Sequence, residues 1–284
     1  MARLFPCLMT AAAFAVCSVS PGHAYDRIIS LYAGHTDNLI ALGAERKLAG
    51  VTKNYGPAEL PGLPRVPSRP GAEALLALRP DLVIMRTLTE KQLPALKDTL
   101  TRAGVAVRVI DPPDWKDFPG YLAELAPLAD VSPGEAAGRF ALLCKTLRET
   151  ASSHRGGRPA PSVLVEATGR ELHTCSPESW AAHLIELCGG DNAAKSATPT
   201  RRGSAVAPWG AERTLQAIAK GLQIYLIQQG PMNGTDSAAL KKRPWSAALS
   251  RVRTVFIPED ELSRPSLLSL QRGGERLIHI FYGE

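Results

Sequence analysis

Residues 132–154 read SPGEAAGRFALLCKTLRETASSH, and how this stretch folds decides the architecture of the chain. Ser132-Pro133-Gly134-Glu135 is a capping box. The Ser132 hydroxyl can take a free amide of the first turn, Glu135 can reach back, and Pro133 suits the first helical position, which has no amide bond to lose. Phe140, Leu143 and Leu147 follow at helical spacing, with no breaker before His154. About 20 residues at 1.5 Å each make a rod of about 30 Å, enough to bridge two bodies. Residues 153–161 (SHRGGRPAP) end it.

On the N-terminal side, residues 27–31 (RIISL) form a short apolar strand, residues 36–42 a helix stopped by Gly43, and residues 48–51 a second strand. Residues 57–70 carry five prolines and are read as loop. A helix over 73–78 leads through Pro80-Asp81 into a buried strand, 82–85. A helix over 92–103, ended by Gly104, precedes a strand over 105–110. On the C-terminal side, residues 162–166 (SVLVE) reopen the pattern. The alternation predicts an α/β fold: two Rossmann-like lobes with mostly parallel sheets, joined by one long α-helix. The expected division is a leader over 1–24, an N-terminal lobe over 25–130, the linker helix over 131–154 and a C-terminal lobe over 155–284.

The leader reads as a secretory signal peptide. Arg3 gives a positive start, residues 8–19 (LMTAAAFAVCSV) an apolar run, and Gly22 and Ala24 the small residues before a cleavage point. The run is too short to span a bilayer, and nothing later reaches 18 apolar residues. A lipid-anchored form would use Cys17, but Val16 is bulkier than such a site tolerates. An exported protein that floats free is expected. Cleavage would remove Cys7 and Cys17 and leave Cys144, Cys175 and Cys188, an odd number, hence at least one free thiol or an intermolecular bond. Cys188, in an apolar helix end, reads as a small buried hydrophobe. The chain carries 33 Lys and Arg against 27 Asp and Glu, a net charge of +6. These basic residues are scattered rather than gathered with aromatics on one stripe, which argues against a nucleic-acid surface.

Gly71-Ala72-Glu73 opens a helix that runs into a strand, and Gly210-Ala211-Glu212 does the same before residues 222–227. Each carboxylate sits where the helix dipole favours it, and this echo supports two related lobes. Four segments together carry a resemblance. Residues 27–52 (RIISLYAGHTDNLIALGAERKLAGVT), 71–85 (GAEALLALRPDLVIM), 179–192 (SWAAHLIELCGGDN) and 262–265 (LSRP) occur in order along the chain. They are similar to segments of the helical-backbone (class III) periplasmic binding proteins that serve ABC importers of ferric siderophores, cobalamin and haem. The resemblance implies a substrate-binding protein, monomeric and not an enzyme. It would capture a small metal chelate between its lobes and dock on a membrane permease dimer through one glutamate per lobe, Glu73 and Glu212. Ala219-Lys220-Gly221 departs from the family's Pro-Asp-like turn, which weakens the carry-over to Glu212.

The ligand is then expected against loops that follow the strands' carboxyl ends. Those loops carry Tyr32, His35, Tyr55, Arg86, Arg170, Cys175 and Trp209. Arg86 and Arg170 each follow a buried strand and could face one another, an arrangement that fits an anionic chelate. On that ground a ferric siderophore is placed ahead of cobalamin or haem. Trp209 and the tyrosines would supply flat apolar wall. The histidines show no metal-ligand spacing, and there is no Gly-x-Ser-x-Gly, Walker or dinucleotide fingerprint, so neither a resident metal nor a cofactor is expected. The rival class is an exported metal chelatase acting on a tetrapyrrole with His35, His173 and Glu166.

Overall fold

The structure is a computed structural model and describes residues 25–53, 62–67, 69–169 and 171–283. The leader, with Cys7 and Cys17, lies outside them, as do Tyr55 and Arg170.

The N-terminal lobe runs β1 (Ile28–Ser30), α1 (Ala33–Ala41), β2 (Leu48–Thr52), β3 (Arg65–Val66), α2 (Ala72–Leu76), β4 (Leu82–Met85), α3 (Thr87–Gln92), α4 (Pro94–Arg102), β5 (Ala106–Val109) and α5 (Phe118–Leu125). Its sheet has the order β3-β2-β1-β4-β5, and every pairing is parallel. Helices cover both faces, so β1 and β4 are unbroken apolar runs buried throughout. Two expectations are corrected. The proline-rich stretch is not all loop, because β3 adds an edge strand between Pro64 and Pro67, where a missing amide costs the sheet least. The helix expected over 92–103 starts only at Pro94, since the residue before a proline is driven out of helical geometry, and Leu93 lies at φ −131°.

A single helix, α6 (Pro133–Arg155), crosses to the second lobe. Ser132 caps it, its Oγ accepting from the Glu135 amide at 3.2 Å, while Glu135 pairs with Arg139 at 2.7 Å. Gly156, at φ 55°, ends it in the left-handed conformation that glycine takes without a Cβ clash. Ala136, Phe140, Cys144, Leu147 and Ala151 form its buried stripe against α5 and helices of the second lobe.

The C-terminal lobe continues with β6 (Ser162–Glu166), β7 (His173–Cys175), α7 (Trp180–Leu187), β8 (Asp191–Asn192), β9 (Val206–Pro208), α8 (Gly210–Ala219), β10 (Ile224–Gln229), α9 (Ser237–Lys241), β11 (Arg253–Pro258), α10 (Glu259–Leu262) and α11 (Leu267–Tyr282). Its sheet, β11-β10-β6-β8, is again parallel, with a small antiparallel ribbon of β7 and β9 beside it. The order β8-β6-β10-β11 repeats β2-β1-β4-β5 of the first lobe. The entry points match as well. The Asp81 carboxylate, one residue before β4, accepts the Asp26 amide at 2.7 Å, and Gln223 Oε1, one residue before β10, accepts the Ser162 amide at 3.0 Å. Cys144, Cys175 and Cys188 are buried free thiols, and burial pushes the Cys188 thiol up to about 12.

Candidate functional site

The rod is not the only join between the lobes. Asn38 on α1 reaches the start of α11, its Nδ2 donating to Pro265 O at 3.2 Å and its Oδ1 accepting from the Leu267 amide at 2.9 Å. Beside it, Asp37 Oδ2 accepts from Arg264 Nη1 at 3.2 Å and from Ser266 Oγ at 3.3 Å. Asp37, Asn38 and Ser266 are buried, so these charge-assisted and amide bonds are sheltered from water. A second seam is aromatic. Trp115, on the loop from β5 to α5, lies 4.6 Å from the Trp180 ring and 5.4 Å from His183, both on α7, and touches Phe140 of the rod.

Members of both seams line a cavity of about 570 Å³ between the lobes. Tyr32, directly after β1, and Pro112 to Lys116, after β5, come from the first lobe. The second lobe adds the first turn of α7, the segment before β9, and Ser263 and Pro265 before α11. The site therefore lies at the carboxyl ends of the parallel strands, where side chains of both lobes can converge. Its walls are aromatic (Tyr32, Trp115, Trp180, His183), with Lys116 and Arg202 as cations and Glu178 as an acid. The Trp180 indole N–H is buried without a hydrogen-bond partner among the described residues. Burial raises the Tyr32 hydroxyl above the ordinary phenol, while Arg86 and Arg264 pull against it.

Of the ligand candidates named from sequence, Tyr32 lines this cavity. Arg86 does not line it; its guanidinium sits over the Tyr32 ring at 4.4 Å. His35 is placed elsewhere, fully buried, with Nε2 donating to Ile110 O at 3.0 Å and Nδ1 facing the Tyr121 hydroxyl at 2.7 Å. Burial lowers it to about 4, so it is neutral. Cys175 is buried in β7, its thiol pushed up by burial to about 11. Trp209 precedes α8 and packs on the second lobe's own core, with Arg213 over its ring at 5.1 Å. The structure thus brings Arg86 to Tyr32 and leaves His35, Cys175 and Trp209 out of the cavity lining.

The chelatase trio is not gathered either. Glu166, at the end of β6, is buried and fully engaged, by Arg243 Nη2 at 2.8 Å and Nη1 closer, Tyr225 at 2.5 Å, Thr235 at 2.9 Å and Asn233 at 3.2 Å. Burial opposes its charge, but the Arg243 and Tyr225 bonds outweigh that and hold the carboxyl below its usual range. His173 is tied to Thr168 at 3.0 Å. Among the described residues no three His, Cys, Asp or Glu side chains converge on a metal position. Trp115, Lys116, Trp180, His183 and Arg202 were missed. The loop after β5 satisfied the same rule that selected Tyr32, and Trp180 and His183 lie in a segment already singled out as a motif.

No family model and no curated protein sequence matches the chain. Its fold matches solved structures. A periplasmic haem-binding protein from Pseudomonas aeruginosa is 23% identical over 91% of this chain and 93% of that one, with a TM-score of 0.69. A periplasmic haem-binding protein of Vibrio cholerae is 21% identical over 88% and 98%, TM-score 0.64, and the periplasmic vitamin B12 binding protein of Vibrio cholerae 20% over 89% and 95%, TM-score 0.58. The chain has the two-lobed fold of the helical-backbone periplasmic binding proteins.

Proposed function

We propose that the protein is the periplasmic substrate-binding component of an ABC importer. It captures a metal chelate in the interlobe cavity, and among chelates the geometry favours a flat tetrapyrrole such as haem. The observation that carries this is the lining, in which four aromatic rings from both lobes surround about 570 Å³ with Lys116 and Arg202 beside them. Flat rings reward a flat apolar ligand, and cations suit acidic substituents at its edge. Of the arginine pair that pointed to a siderophore, Arg170 lies outside the described residues, and Arg86 sits over the Tyr32 ring and does not line the cavity. The haem-binding proteins among the similar structures agree with the tetrapyrrole. Tyr55, in the segment after β2, remains a candidate second phenol.

Glu73 and Glu212 are proposed as the permease contacts. Each is exposed, in the first turn of a helix leading into topologically equivalent strands, β4 and β10. Carboxylates so placed can pair with arginines of a partner by charge-assisted bonds that also orient it.

The test is titration of purified protein with haemin, cobalamin and ferric siderophores, followed by tryptophan quenching and visible absorption. Saturable, equimolar binding of haemin with no change in the porphyrin is expected. Metal insertion or removal on incubation with metal and porphyrin would overturn the carrier reading in favour of an enzyme. Tight binding of a siderophore and not of haemin would overturn the choice of chelate.

A further inference from the structure

We propose that Arg264 is a two-position link between the lobes: it pairs with Asp37 of the first lobe when the lobes stand together, and with Glu259 of its own lobe when they part. This deepens the carrier reading of the interlobe cavity and does not depend on which chelate fills it.

Arg264 sits in the short connection between α10 and α11, and its neighbours on either side, Ser263 and Pro265, line the cavity. Both lobes hold this connection. Ser263 Oγ donates to Gln228 Oε1 near the carboxyl end of β10, within the second lobe. Asn38 of α1 holds the Pro265 carbonyl and the Leu267 amide from the first. Arg264 thus lies where cavity wall and interlobe seam are the same few residues.

Two sets of carboxylates surround its guanidinium. Across the seam, Asp37 Oδ2 lies 3.2 Å from Nη1. On its own lobe, Asp260 Oδ2 lies 3.9 Å from the same nitrogen, and Glu259 is the residue before it. Glu259 Oε2 is buried and has no hydrogen-bond partner among the described residues. Its carboxyl packs against Gly230, where any Cβ would overlap it, so the backbone keeps this place open. Burial raises the Glu259 carboxyl above its ordinary range, and the Arg264 charge opposes that rise. A buried acceptor without a donor is costly, which leaves Glu259 with a demand for a cation that Asp37 now holds.

Solvent decides between the two. With the lobes together Asp37 is buried, and a carboxylate in the interior requires its counter-charge. Parting the lobes draws α1 away from the start of α11 and wets Asp37, whose need for a guanidinium then falls. Arg264 stays with the second lobe through Ser263 and Asp260, and Glu259 offers it a carboxylate oxygen still lacking a donor. The exchange keeps Arg264 paired at both ends of the motion, so the packed seam has two discrete arrangements rather than one.

The experiment places spin labels at Lys91→Cys and Lys242→Cys, one exposed position on each lobe, and reads the distance between them without ligand. Cys144, Cys175 and Cys188 are buried and stay unlabelled. Asp37→Asn keeps the side chain's shape. It should raise the long-distance population relative to the short one by roughly 10-fold, the equilibrium factor of one charge-assisted hydrogen bond. Adding Glu259→Gln should return the ratio toward wild type. Circular dichroism checks the fold of each variant. An unchanged distribution in Asp37→Asn overturns the link, and equal distributions in Asp37→Asn and the double variant overturn the exchange. Glu259→Gln alone leaves the seam untouched, and haemin release from it should slow by a similar factor. An unchanged rate overturns the exchange even where Asp37→Asn does not fold. If haemin is not bound, the choice of chelate falls, and the ligand-free distances still decide this inference.

Discussion

At the scale of single residues, burial separates side chains that hold the fold from those free to meet a ligand, and sequence does not display burial. His35 and Tyr32 stand three positions apart after the same strand, yet one is sealed and the other lines the cavity. The difference comes from α1, which begins at Ala33 and turns His35 inward to Tyr121, a contact 86 residues away along the chain. The seal has a consequence for pH. The unfolded chain protonates this imidazole near its ordinary 6.5 and the folded chain only near 4. Between those values the unfolded state binds more protons, so the stability is complete above about pH 6.5 and drains as pH falls through 4. The gap corresponds to roughly 3 kcal/mol. Urea unfolding at pH 7 and pH 4.5 should show that slope in wild-type protein and a shallower one in His35→Gln. Equal slopes would mean that His35 is not the group responsible. Glu166 supplies the opposite case, a buried charge that is fully paired. Removing its partner in Arg243→Ala should cost about 3–5 kcal/mol in the same assay, because the carboxylate is left uncompensated in the interior.

At the scale of elements, the legible features were those written in local chemistry. Ser132, Pro133 and the apolar stripe of α6 announced the rod, and continuous apolar runs announced parallel strands covered on both faces. The break before Pro94 was equally local but is hidden by periodicity, and the edge strand inside the proline-rich stretch is hidden by the prolines that flank it. What could not be read was the clamp between α1 and α11, because Asn38 and Leu267 are 229 residues apart and look like ordinary helix residues. Asn38→Ala leaves the Leu267 amide and the Pro265 carbonyl in a buried seam without their partner. At about 1–3 kcal/mol for each of the two unsatisfied groups, destabilisation of roughly 2–6 kcal/mol is expected. Faster ligand release should accompany it, since Pro265 lines the cavity. Stopped-flow release measured alongside unfolding checks this; unchanged release with lowered stability would confine the clamp to a structural part. Ser132→Ala is the control, costing about 1 kcal/mol through the lost cap and leaving release alone.

At the scale of the molecule, the two sheets share one strand order, β2-β1-β4-β5 in the first lobe and β8-β6-β10-β11 in the second. Helices α2 and α8 occupy equivalent places ahead of β4 and β10, so Glu73 and Glu212 are related by the internal repeat and not merely by a shared three-residue motif. Each of these helices is followed by a residue in the left-handed region, Arg79 at φ 48° in the first lobe and Gly221 at φ 94° in the second. Neither glutamate lines the cavity. Reversal to lysine at either position should therefore slow uptake in cells carrying the cognate importer, and reversal at both should abolish it, while the affinity of purified protein for haemin is unchanged. Attraction between exposed charges weakens as salt rises, so the docking rate of wild-type protein should fall with ionic strength and that of the double variant should not. A double variant that takes up ligand normally would remove both residues from the docking surface. One that loses haemin affinity instead would place these helices at the ligand rather than at the membrane.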